Sequence, residues 1–487
     1  MTPSPTPAVV AAPSTPAPGR VRLEVTTAVR LVQSLAGPVL LDELGTRTQA
    51  RPFETRLRIT PQLNVGRWDV ISEFDAATGA LFGTPSVTVV APRQPTPTLR
   101  PFELRQLYGQ YRWDWGVARL GVQANQFGLG MLANSGAKDA QPGDFGIQHG
   151  GSVVARAAVG ARPLADWGGA WAAVEPVAAF DLVVRDNTTD LLAGDRALQG
   201  ILGLRYVEDD AHQVALTAIY RSRVKLNGAP GEGAVDVFVA DLFARWTVME
   251  TASSSLSVAG EVAGVVGTTT QGRSDNAPVL AVRQLGAVGK VKYRWGRLGL
   301  LLDAGFASGD QNPYDGSVDN FRFDSNYKVG LVLFDQVLGY QSARSAWRAA
   351  DPLLSGAPPE GIELLPTAGA VTGAWYLFPR ARYTVTSWLN VYGGPLFAFS
   401  TARLTDPFTT RMNGGAPLNS LGGRAGNVLG TELDVGVSVS GSPVRYVTVT
   451  ATLEGGYLLP GDAFRTQAGP AMPDVWLGRL RLVLSGP

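Results

Sequence analysis

The chain contains 487 residues, with 42 basic and 41 acidic side chains and a formal net charge of +1. This balance argues against a protein that binds nucleic acid through bulk positive charge. The sequence has no cysteine, which excludes disulfides and thiol chemistry. No stretch approaches the roughly 18 consecutive apolar residues that a membrane-spanning helix requires, so a membrane would have to be crossed by strands.

Residues 1–19, MTPSPTPAVVAAPSTPAPG, are rich in Pro, Thr and Ala. They lack the basic n-region and the apolar h-region of a signal peptide. We therefore expect a disordered, extended leader, left after processing or by a gene model that starts late, with any export signal upstream. Residues 20–487 show no composition break and are predicted to form a single domain.

Apolar and polar residues alternate along most of the chain with the period of two that is typical of strands. In the first such segment, Val21, Leu23 and Val25 share one parity, while Arg22 and Glu24 share the other. The pattern predicts about eighteen strands. Three begin near residues 21, 53 and 68, and the others lie at about 99–113, 115–125, 149–160, 170–186, 196–207, 211–226, 234–248, 254–267, 281–295, 297–307, 365–378, 380–402, 427–441, 443–457 and 473–485.

The segment from Glu432 to Glu454 contains a complete hairpin pattern. Leu433, Val435, Val437 and Val439 alternate with Glu432, Asp434, Gly436 and Ser438. Gly441-Ser442-Pro443 is a turn signal, after which the alternation resumes. One face of this hairpin is expected to contact hydrocarbon and the other, with Glu432, Asp434 and Glu454, to face water.

The predicted connections alternate between short and long. Short ones are Gly66-Arg67, Asp114, Val207 to Ala211, Met249 to Ser253, Gly296, Pro379 and Gly441-Ser442-Pro443; long ones are 35–52, 77–98, 126–148, 268–280, 308–364, 403–426 and 458–472. An antiparallel up-and-down transmembrane β-barrel has short periplasmic turns, long extracellular loops and an even strand number. The sequence therefore predicts an all-β barrel of the bacterial outer membrane.

Aromatic residues near strand ends support a lipid-facing exterior. Tyr206, Trp246, Tyr293, Trp295 and Trp476 fall on the parity assigned outward, where amphipathic rings favour the membrane interface. The alternative is that these rings pack in a core. Their repeated position near short turns favours an aromatic girdle.

The inward parity carries many charges, which a dry core would accommodate only at a large desolvation cost. About eighteen strands enclose an aqueous channel unless loops plug it. Most of these charges are expected to pair across the wall, but arginine-rich rings would also attract an anionic solute. The candidate lumen residues are Arg56, Arg58, Arg119, Arg156, Arg205, Arg221, Arg223, Arg245, Lys290, Lys292, Arg294, Arg382, Arg479 and Arg481. Two groups have no alternating acid within their own strands and are the strongest candidates. They are Arg221 with Arg223, and Lys290 and Lys292 with Arg294.

The longest predicted loop begins at Phe306. Asp310, Asn312 and Asp315 carry oxygen ligands that calcium would accept, but their spacing departs from the EF-hand loop, and turn chemistry explains them equally well. The apolar run Val329 to Phe334 is expected to fold back into the pore mouth as a constriction or lid. Candidate lid residues are Asp310, Asp315, Asp319, Phe321, Phe323, Tyr327 and Phe334.

The sequence does not favour an enzyme. It contains only two histidines, His149 and His212, neither with a metal-ligand spacing, and both are expected at the surface. The Gly-rich pieces do not follow a strand and open a helix, so no nucleotide or other cofactor site is predicted. A carboxylate site in a wet lumen stays open as a lesser alternative.

Two stretches resemble a known family. ASGDQNPYDGSVDNF, followed by FDSNYKVGLVLFD, is similar to a loop of alginate-export-type outer-membrane barrels and of related uncharacterised barrels of myxobacteria; residues 121–146, GVQANQFGLGMLANSGAKDAQPGDFG, resemble a segment of the myxobacterial group. The resemblance implies an eighteen-stranded pore with an Arg-rich lumen that passes exopolysaccharide outward.

These observations leave three hypotheses. The first is an outer-membrane conduit for anionic or neutral exopolysaccharide, with outer-membrane lipid and periplasmic export machinery as partners and no nucleic acid. The second is a general or solute-selective uptake porin for small solutes. The third is a plugged barrel that acts in surface adhesion.

Overall fold

The computed structural model describes residues 21–48, 51–83, 99–137, 141–226, 228, 232–272, 277–312, 315–356 and 361–486, so the predicted leader lies outside the described residues. Eighteen long antiparallel strands form one sheet. In chain order they are β1 Val21–Ala36, β2 Phe53–Val65, β3 Trp68–Phe82, β4 Arg100–Trp113, β5 Gly116–Ala124, β6 Val153–Ala161, β7 Val174–Arg185, β8 Asp195–Val207, β9 Gln213–Lys225, β10 Val235–Glu250, β11 Ser254–Thr269, β12 Leu280–Trp295, β13 Leu298–Ala307, β14 Ala374–Thr386, β15 Leu389–Ser400, β16 Val428–Val444, β17 Val447–Pro460 and β18 Val475–Gly486.

The sheet closes on itself because β1 pairs with both β2 and β18. Closure leaves neither the first nor the last strand with an unpaired edge. The predicted fold class, an antiparallel barrel of eighteen strands, is therefore confirmed. Among the described residues, no helix has both the length and the apolar character needed to cross a bilayer.

The connections differ between the two ends of the barrel. At one end they are two to five residues long, apart from 162–173, and at the other end they contain nine residues or more. Two predicted turns are wrong. Pro379 lies inside β14, where pairing with β13 continues and only the ladder to β15 is interrupted, because a proline removes a donor but tolerates a strand φ. Gly441-Ser442-Pro443 lies inside β16, and the turn is at Arg445 and Tyr446.

The two faces of the wall follow the predicted parity. Leu433 and Val435 are 54% and 53% exposed on the outside, whereas Glu432 and Asp434 are fully buried on the inside. Among the outward rings, Trp246 and Trp295 lie at the short-turn rim. Trp476 instead begins β18 and lies at the opposite rim beside Tyr457, so its predicted position near a short turn is wrong.

Much of the described part of two long connections, 125–152 and 308–373, folds into the barrel and fills part of it. The longer one contains a π-helical turn, Leu333–Leu338, followed by α1 Gly339–Ala350 and α2 Pro352–Ser355; α3 Pro407–Met412 lies in the connection before β16. Short 3-10 turns are Ala165–Trp167, Gly169–Ala173, Leu191–Ala193, Ile362–Leu364 and Asp462–Phe464, and two-residue strands are Val39–Leu40, Arg47–Thr48 and Ser317–Val318. Sequence periodicity did not predict α1. Its buried face contains Tyr340, Ala343 and Ala346 but also the polar Gln341, Ser345 and Arg348, so the sequence shows no continuous apolar stripe there.

The apolar core lies inside the barrel. Buried residues of the 308–373 connection, including Leu331, Leu333 and Phe334, pack in one cluster with inward residues such as Tyr376 of β14 and Leu396 of β15. One side of the interior is therefore a packed, dry core. The other side, along β5 to β12, retains a cavity.

Candidate functional site

A single wall carboxylate holds the 308–373 connection inside the barrel. Glu432 of β16 accepts hydrogen bonds from the backbone N–H groups of Leu331, Val332 and Leu333 at 2.6, 2.8 and 2.7 Å. These N–H groups precede or open the π-helical turn and would otherwise lack partners. Charge-assisted bonds from consecutive N–H groups are among the stronger hydrogen bonds in proteins. Glu432 therefore anchors the insert to the wall and does not line an open lumen.

The 125–152 connection is anchored in the same way on the other side. Glu261 of β11 accepts hydrogen bonds from the backbone N–H groups of Leu129 and Met131. Arg479 of β18 donates to the carbonyl oxygen of Phe145 at 2.9 Å, and Arg105 of β4 donates to the carbonyl of Gly151 at 3.1 Å. This connection is thus fixed to several strands around the barrel.

The two infolded connections also bind each other. The N–H of Asp324 donates to the carbonyl of Met131 at 2.6 Å, and the N–H of His149 donates to Asn326 Oδ1 at 2.9 Å. We call residues 125–152 and 308–373 together the insert. His149 was expected at the surface, but it lies inside the barrel, with Nδ1 3.5 Å from Glu54 Oε1, because the insert folds inward. His212 lies at the β8–β9 turn beside Asp209.

The predicted lid residues divide into two groups. Phe321, Phe323, Tyr327 and Phe334 are buried in the core of the insert. Asp310, Asp315 and Asp319 lie nearer the loop turns, where the N–H of Asn312 donates to Asp310 and the N–H of Ser317 donates to Asp315, both at 2.9 Å. The run Val329 to Phe334 lies within the barrel against Glu432. Its action as a lid stays a prediction.

The calcium hypothesis gains no support from the geometry. The part of the chain that the structure describes has no group of three or more His, Cys, Asp or Glu side chains arranged to hold a metal ion. The carboxylates of Asp310 and Asp315 instead accept backbone hydrogen bonds within turns, as short acidic residues in loops commonly do.

A cavity of about 510 Å³ runs between the insert and the wall formed by β5 to β12. Its most continuous side is β9, whose lining residues are Gln213, Ala215, Thr217, Ile219, Arg221 and Arg223. These ten residue steps correspond to roughly 33 Å of strand, or about 25 Å along the barrel axis at a strand tilt of about 40°. We call this space the passage. It follows the wall from the short-turn end to the long-loop end.

Five of the predicted lumen arginines line the passage: Arg119, Arg156, Arg205, Arg221 and Arg223. Arg156 pairs with Asp181 at 2.7 Å, and Arg205 pairs with Glu175 at 3.2 Å. In both pairs the arginine side chain is 16% exposed and the carboxylate is fully buried behind it. The wall therefore presents guanidinium donors to the passage.

Arg221 and Arg223, whose own strand carries no alternating acid, each pair with an acid from a neighbouring element. Arg221 binds Asp186 at 2.5 Å, and Arg223 binds Asp195 at 2.7 Å. The partners come from the preceding loop and the neighbouring strand, because paired side chains in a sheet lie across strands. Burial alone would raise the pKa of Asp186, but the charge and hydrogen bond of Arg221 and the hydrogen bonds of Thr188 outweigh it and hold that pKa below 3.8.

Other predicted lumen residues lie in the packed side of the interior. Arg58 binds Asp75 at 2.7 Å, Arg56 is buried, and Arg479 and Arg481 lie 4.0 and 3.6 Å from Glu454. Breaking such buried pairs leaves an uncompensated charge. Their geometry fits a structural role in the wall.

A second group of predicted cations faces the interior near the short-turn end. Lys290 binds Asp303 at 3.0 Å and lies over the ring of Tyr327. The other members make no hydrogen bond or ion pair with any described residue; they are Arg245, Lys292, Arg294 and Arg382. Arg294 and Arg382 lie at one level, since both are in register with Gly299 of β13. Their role in selectivity stays a prediction.

The alternation of apolar and polar residues in the sequence did not identify Glu261 as a candidate interior residue. A lone charge on the inward face of a strand of small and apolar residues is the signal that would have identified it.

Neither the family comparison nor the comparison with curated proteins finds a match for this chain. Solved structures similar to it include Pseudomonas aeruginosa OccK5 (OpdH), with 10% identity, coverage of 96% of this chain and 98% of that one, and a TM-score of 0.49. OccK2 (OpdF) of the same organism, in complex with glucuronate, has 10% identity, coverage of 95% and 98%, and a TM-score of 0.49. Acinetobacter baumannii OccAB1 has 12% identity, coverage of 95% and 96%, and a TM-score of 0.48.

The fold defines the class of protein as a closed antiparallel β-barrel of eighteen long strands, with an interior that the insert partly fills. The comparisons do not support the finer resemblance to alginate-export-type or myxobacterial barrels that the sequence indicated.

Proposed function

We propose that this chain is a bacterial outer-membrane channel through which small water-soluble solutes diffuse, with a preference for anions. One observation carries the proposal. The passage follows β9 from one end of the barrel to the other, and arginine guanidinium groups face it. Fixed positive groups along a narrow path lower the electrostatic energy of an anion inside it. Such a channel needs no energy source, so net flux follows the solute gradient.

The insert favours the small-solute alternative over the predicted polysaccharide conduit. Buried aromatic and aliphatic side chains occupy one side of the interior, and three wall-to-backbone hydrogen bonds at Glu432 hold them there. A hydrated polymer needs a wide continuous lumen, whereas the passage accommodates small molecules. Export machinery and polysaccharide cargo therefore have no structural counterpart in this proposal.

The exterior supports a location in the outer membrane. Outward residues such as Leu202, Leu204 and Leu453 are 68%, 55% and 62% exposed and apolar, which is unfavourable in water and favourable in hydrocarbon. We place the short turns in the periplasm and the long connections outside the cell.

Purified protein in planar lipid bilayers tests the proposal. We expect ion conductance with an anion-to-cation permeability ratio above one. Arg205→Gln and Lys292→Gln should each lower that ratio severalfold without loss of folding, because Glu175 keeps Arg162 at 3.5 Å and Lys292 has no partner to lose among the described residues. Arg283→Gln, on the outward face of β12, removes the same charge and should have little effect.

Failure of the protein to conduct would contradict the channel and favour the plugged adhesion barrel. Loss of exported polysaccharide after gene deletion, with normal small-solute uptake, would favour the export conduit.

A further inference from the structure

Three cations lie together on the inward face of the wall at the short-turn end of the barrel. Lys292 and Arg294 belong to β12, and Arg382 belongs to β14. Their side chains make no hydrogen bond or ion pair with any residue that the structure describes. Lys292 is exposed and the two arginines are partly exposed. This end of the interior therefore presents three accessible positive groups.

Gly299 of β13 lies between the two arginines. Both Arg294 and Arg382 are in register with it, so their Cα atoms are about 10 Å apart, which is two strand spacings. Nε of Arg382 lies 3.7 Å from the position that a Cβ of Gly299 would take. The side chain of Arg382 thus extends over the glycine towards Arg294. Lys292 is two residues from Arg294, roughly 7 Å along β12.

Two hydroxyl groups flank the cations on the other side. Ser255 and Ser257 of β11 are in register with Arg294 and Lys292, respectively. Directly opposite residues of an antiparallel pair have Cβ atoms about 5 Å apart, so each serine lies beside one cation. A serine hydroxyl supplies an O–H donor. The five side chains together offer N–H and O–H donors from three strands, β11, β12 and β14.

The described acids near this cluster do not balance its charge. Asp144 of the insert interacts electrostatically with Lys292, but its carboxylate already lies 3.5 Å from Arg380. Glu250 of β10 is in register with Ser255, two strands from Arg294, and forms no ion pair with a described residue. Cations therefore outnumber acids at this end of the interior, and the unbalanced positive charge favours a multivalent anion.

We propose that Lys292, Arg294 and Arg382 form a binding site for the phosphate group of small phosphomonoesters, with the hydroxyls of Ser255 and Ser257 as further donors. The role of the site rests on the proposed channel function, and the site narrows the solutes to those that carry a phosphate group. Because the cations face the interior, the ligand reaches them from water and not from the bilayer.

The chemistry of phosphate fits this arrangement of donors. A phosphomonoester carries nearly two negative charges at neutral pH and has three oxygens that accept hydrogen bonds. A carboxylate carries one charge and has two oxygens. Arginine and hydroxyl donors from several strands can all bind one phosphate, whereas a carboxylate leaves some of them unused. The site therefore distinguishes solutes by the valence of their acid group.

Isothermal titration calorimetry on the purified full chain in detergent tests the site with glycerol 3-phosphate and glycerate, which share a diol and differ in the acid group. Wild-type protein should bind glycerol 3-phosphate roughly tenfold more tightly, the effect of about one additional charge-assisted hydrogen bond. Arg294→Gln and Arg382→Gln should each remove most of this preference. Gly299→Leu should do the same without a change of charge, because its side chain fills the space between the arginines. Arg283→Gln, on the outward face of β12, is the matched control and should bind like wild type.

Solute flux into proteoliposomes, measured with the same two compounds, separates the site from the channel. Equal affinity for both compounds, or an unchanged preference in the arginine variants, overturns the site even if both compounds pass through. Binding that depends on the arginines, without flux of either compound, supports the site and overturns the channel. If an arginine variant does not fold, Lys292→Gln tests the same site, since Lys292 is exposed; an unchanged preference in that variant overturns the site as well.

Discussion

Two buried carboxylates, Glu261 and Glu432, bind backbone N–H groups of the insert and no arginine. At the residue scale they replace the hydrogen bonds that an infolded loop loses when it leaves water. Parity along β16 correctly predicts that Glu432 faces inward. It does not predict the partner, because Leu331 is 101 residues away in the sequence.

Replacing Glu432 with alanine should loosen the insert. Three buried N–H groups would lose their acceptor, at roughly 1–3 kcal/mol each, which is enough to detach this part of the insert from the wall. We expect faster proteolysis within 308–373 and a larger single-channel conductance. Glu432→Gln keeps one acceptor oxygen and should give an intermediate result. Wild-type protease resistance in the alanine variant would show that packing alone holds the insert.

At the scale of elements, glycines in the wall provide room for aromatic residues of the insert. A Cβ at Gly286, on the inward face of β12, would lie 2.3 Å from Cε1 of Phe321. At Gly289, three residues further along β12, a Cβ would meet nothing within 4 Å. Because Gly286 has no side chain, β12 can lie in close contact with the ring of Phe321 in the insert.

Gly286→Val should displace Phe321 and destabilise the insert by about 1–3 kcal/mol, the usual cost of overpacking a core. Gly289→Val is the matched control and should leave the insert intact. Hydrogen exchange of the backbone around residue 321, compared between the two variants, measures the difference. Equal protection in both would contradict the close packing of ring and strand.

The first long connection is tied to α1 by ion pairs at the loop end of the barrel. Arg344 binds Asp42 at 2.8 Å, and Arg348 binds Glu43 at 2.7 Å. Burial alone would raise the pKa of Asp42, but the hydrogen bonds from Arg344 and Thr46 and the charge of Arg344 outweigh it, so that pKa lies below 3.8. A carboxyl group whose pKa is lower in the folded protein than in the unfolded protein stabilises the fold at pH values above the unfolded-state pKa. This stabilisation is lost as the pH falls through the folded-state pKa.

Docking of α1 should therefore be independent of pH above about 5 and weaken as the pH falls below 3.8 through the pKa of Asp42. Hydrogen exchange of residues 339–350, measured across this range, should show the loss of protection. Asp42→Asn should be less protected than wild type at pH 7 and should converge with it in acid. Parallel profiles at all pH values would exclude Asp42 as the titrating group.

For the whole molecule, orientation can be tested because the native chain has no cysteine. Ala468 is exposed in a long connection, and Ser253 is exposed in the short turn between β10 and β11. In cells that export the chain, a membrane-impermeant maleimide should label Ala468→Cys directly. It should label Ser253→Cys only after the outer membrane is permeabilised. The opposite pattern would reverse the proposed orientation.

Proline and glycine in this sequence do not by themselves locate the turns of the barrel. Pro379 and Gly441-Ser442-Pro443 were assigned to turns, yet both lie within strands. Proline and glycine also occur where a ladder is interrupted or bulged, and a single sequence does not distinguish these cases. Arg221 and Arg223 show the same limit for charges, because their partners were set by neighbouring elements.

The sequence by itself determined the number of strands, the face of each strand that meets the exterior, and the alternation of short and long connections. These features depend on a two-residue period and on chain length, which are local properties. Only the tertiary structure decided that two connections enter the barrel, that one side of the interior is dry, and that a cavity remains along β5 to β12. Those features depend on contacts between residues about a hundred or more positions apart, such as Leu331 with Glu432 and Leu129 with Glu261, which periodicity does not encode.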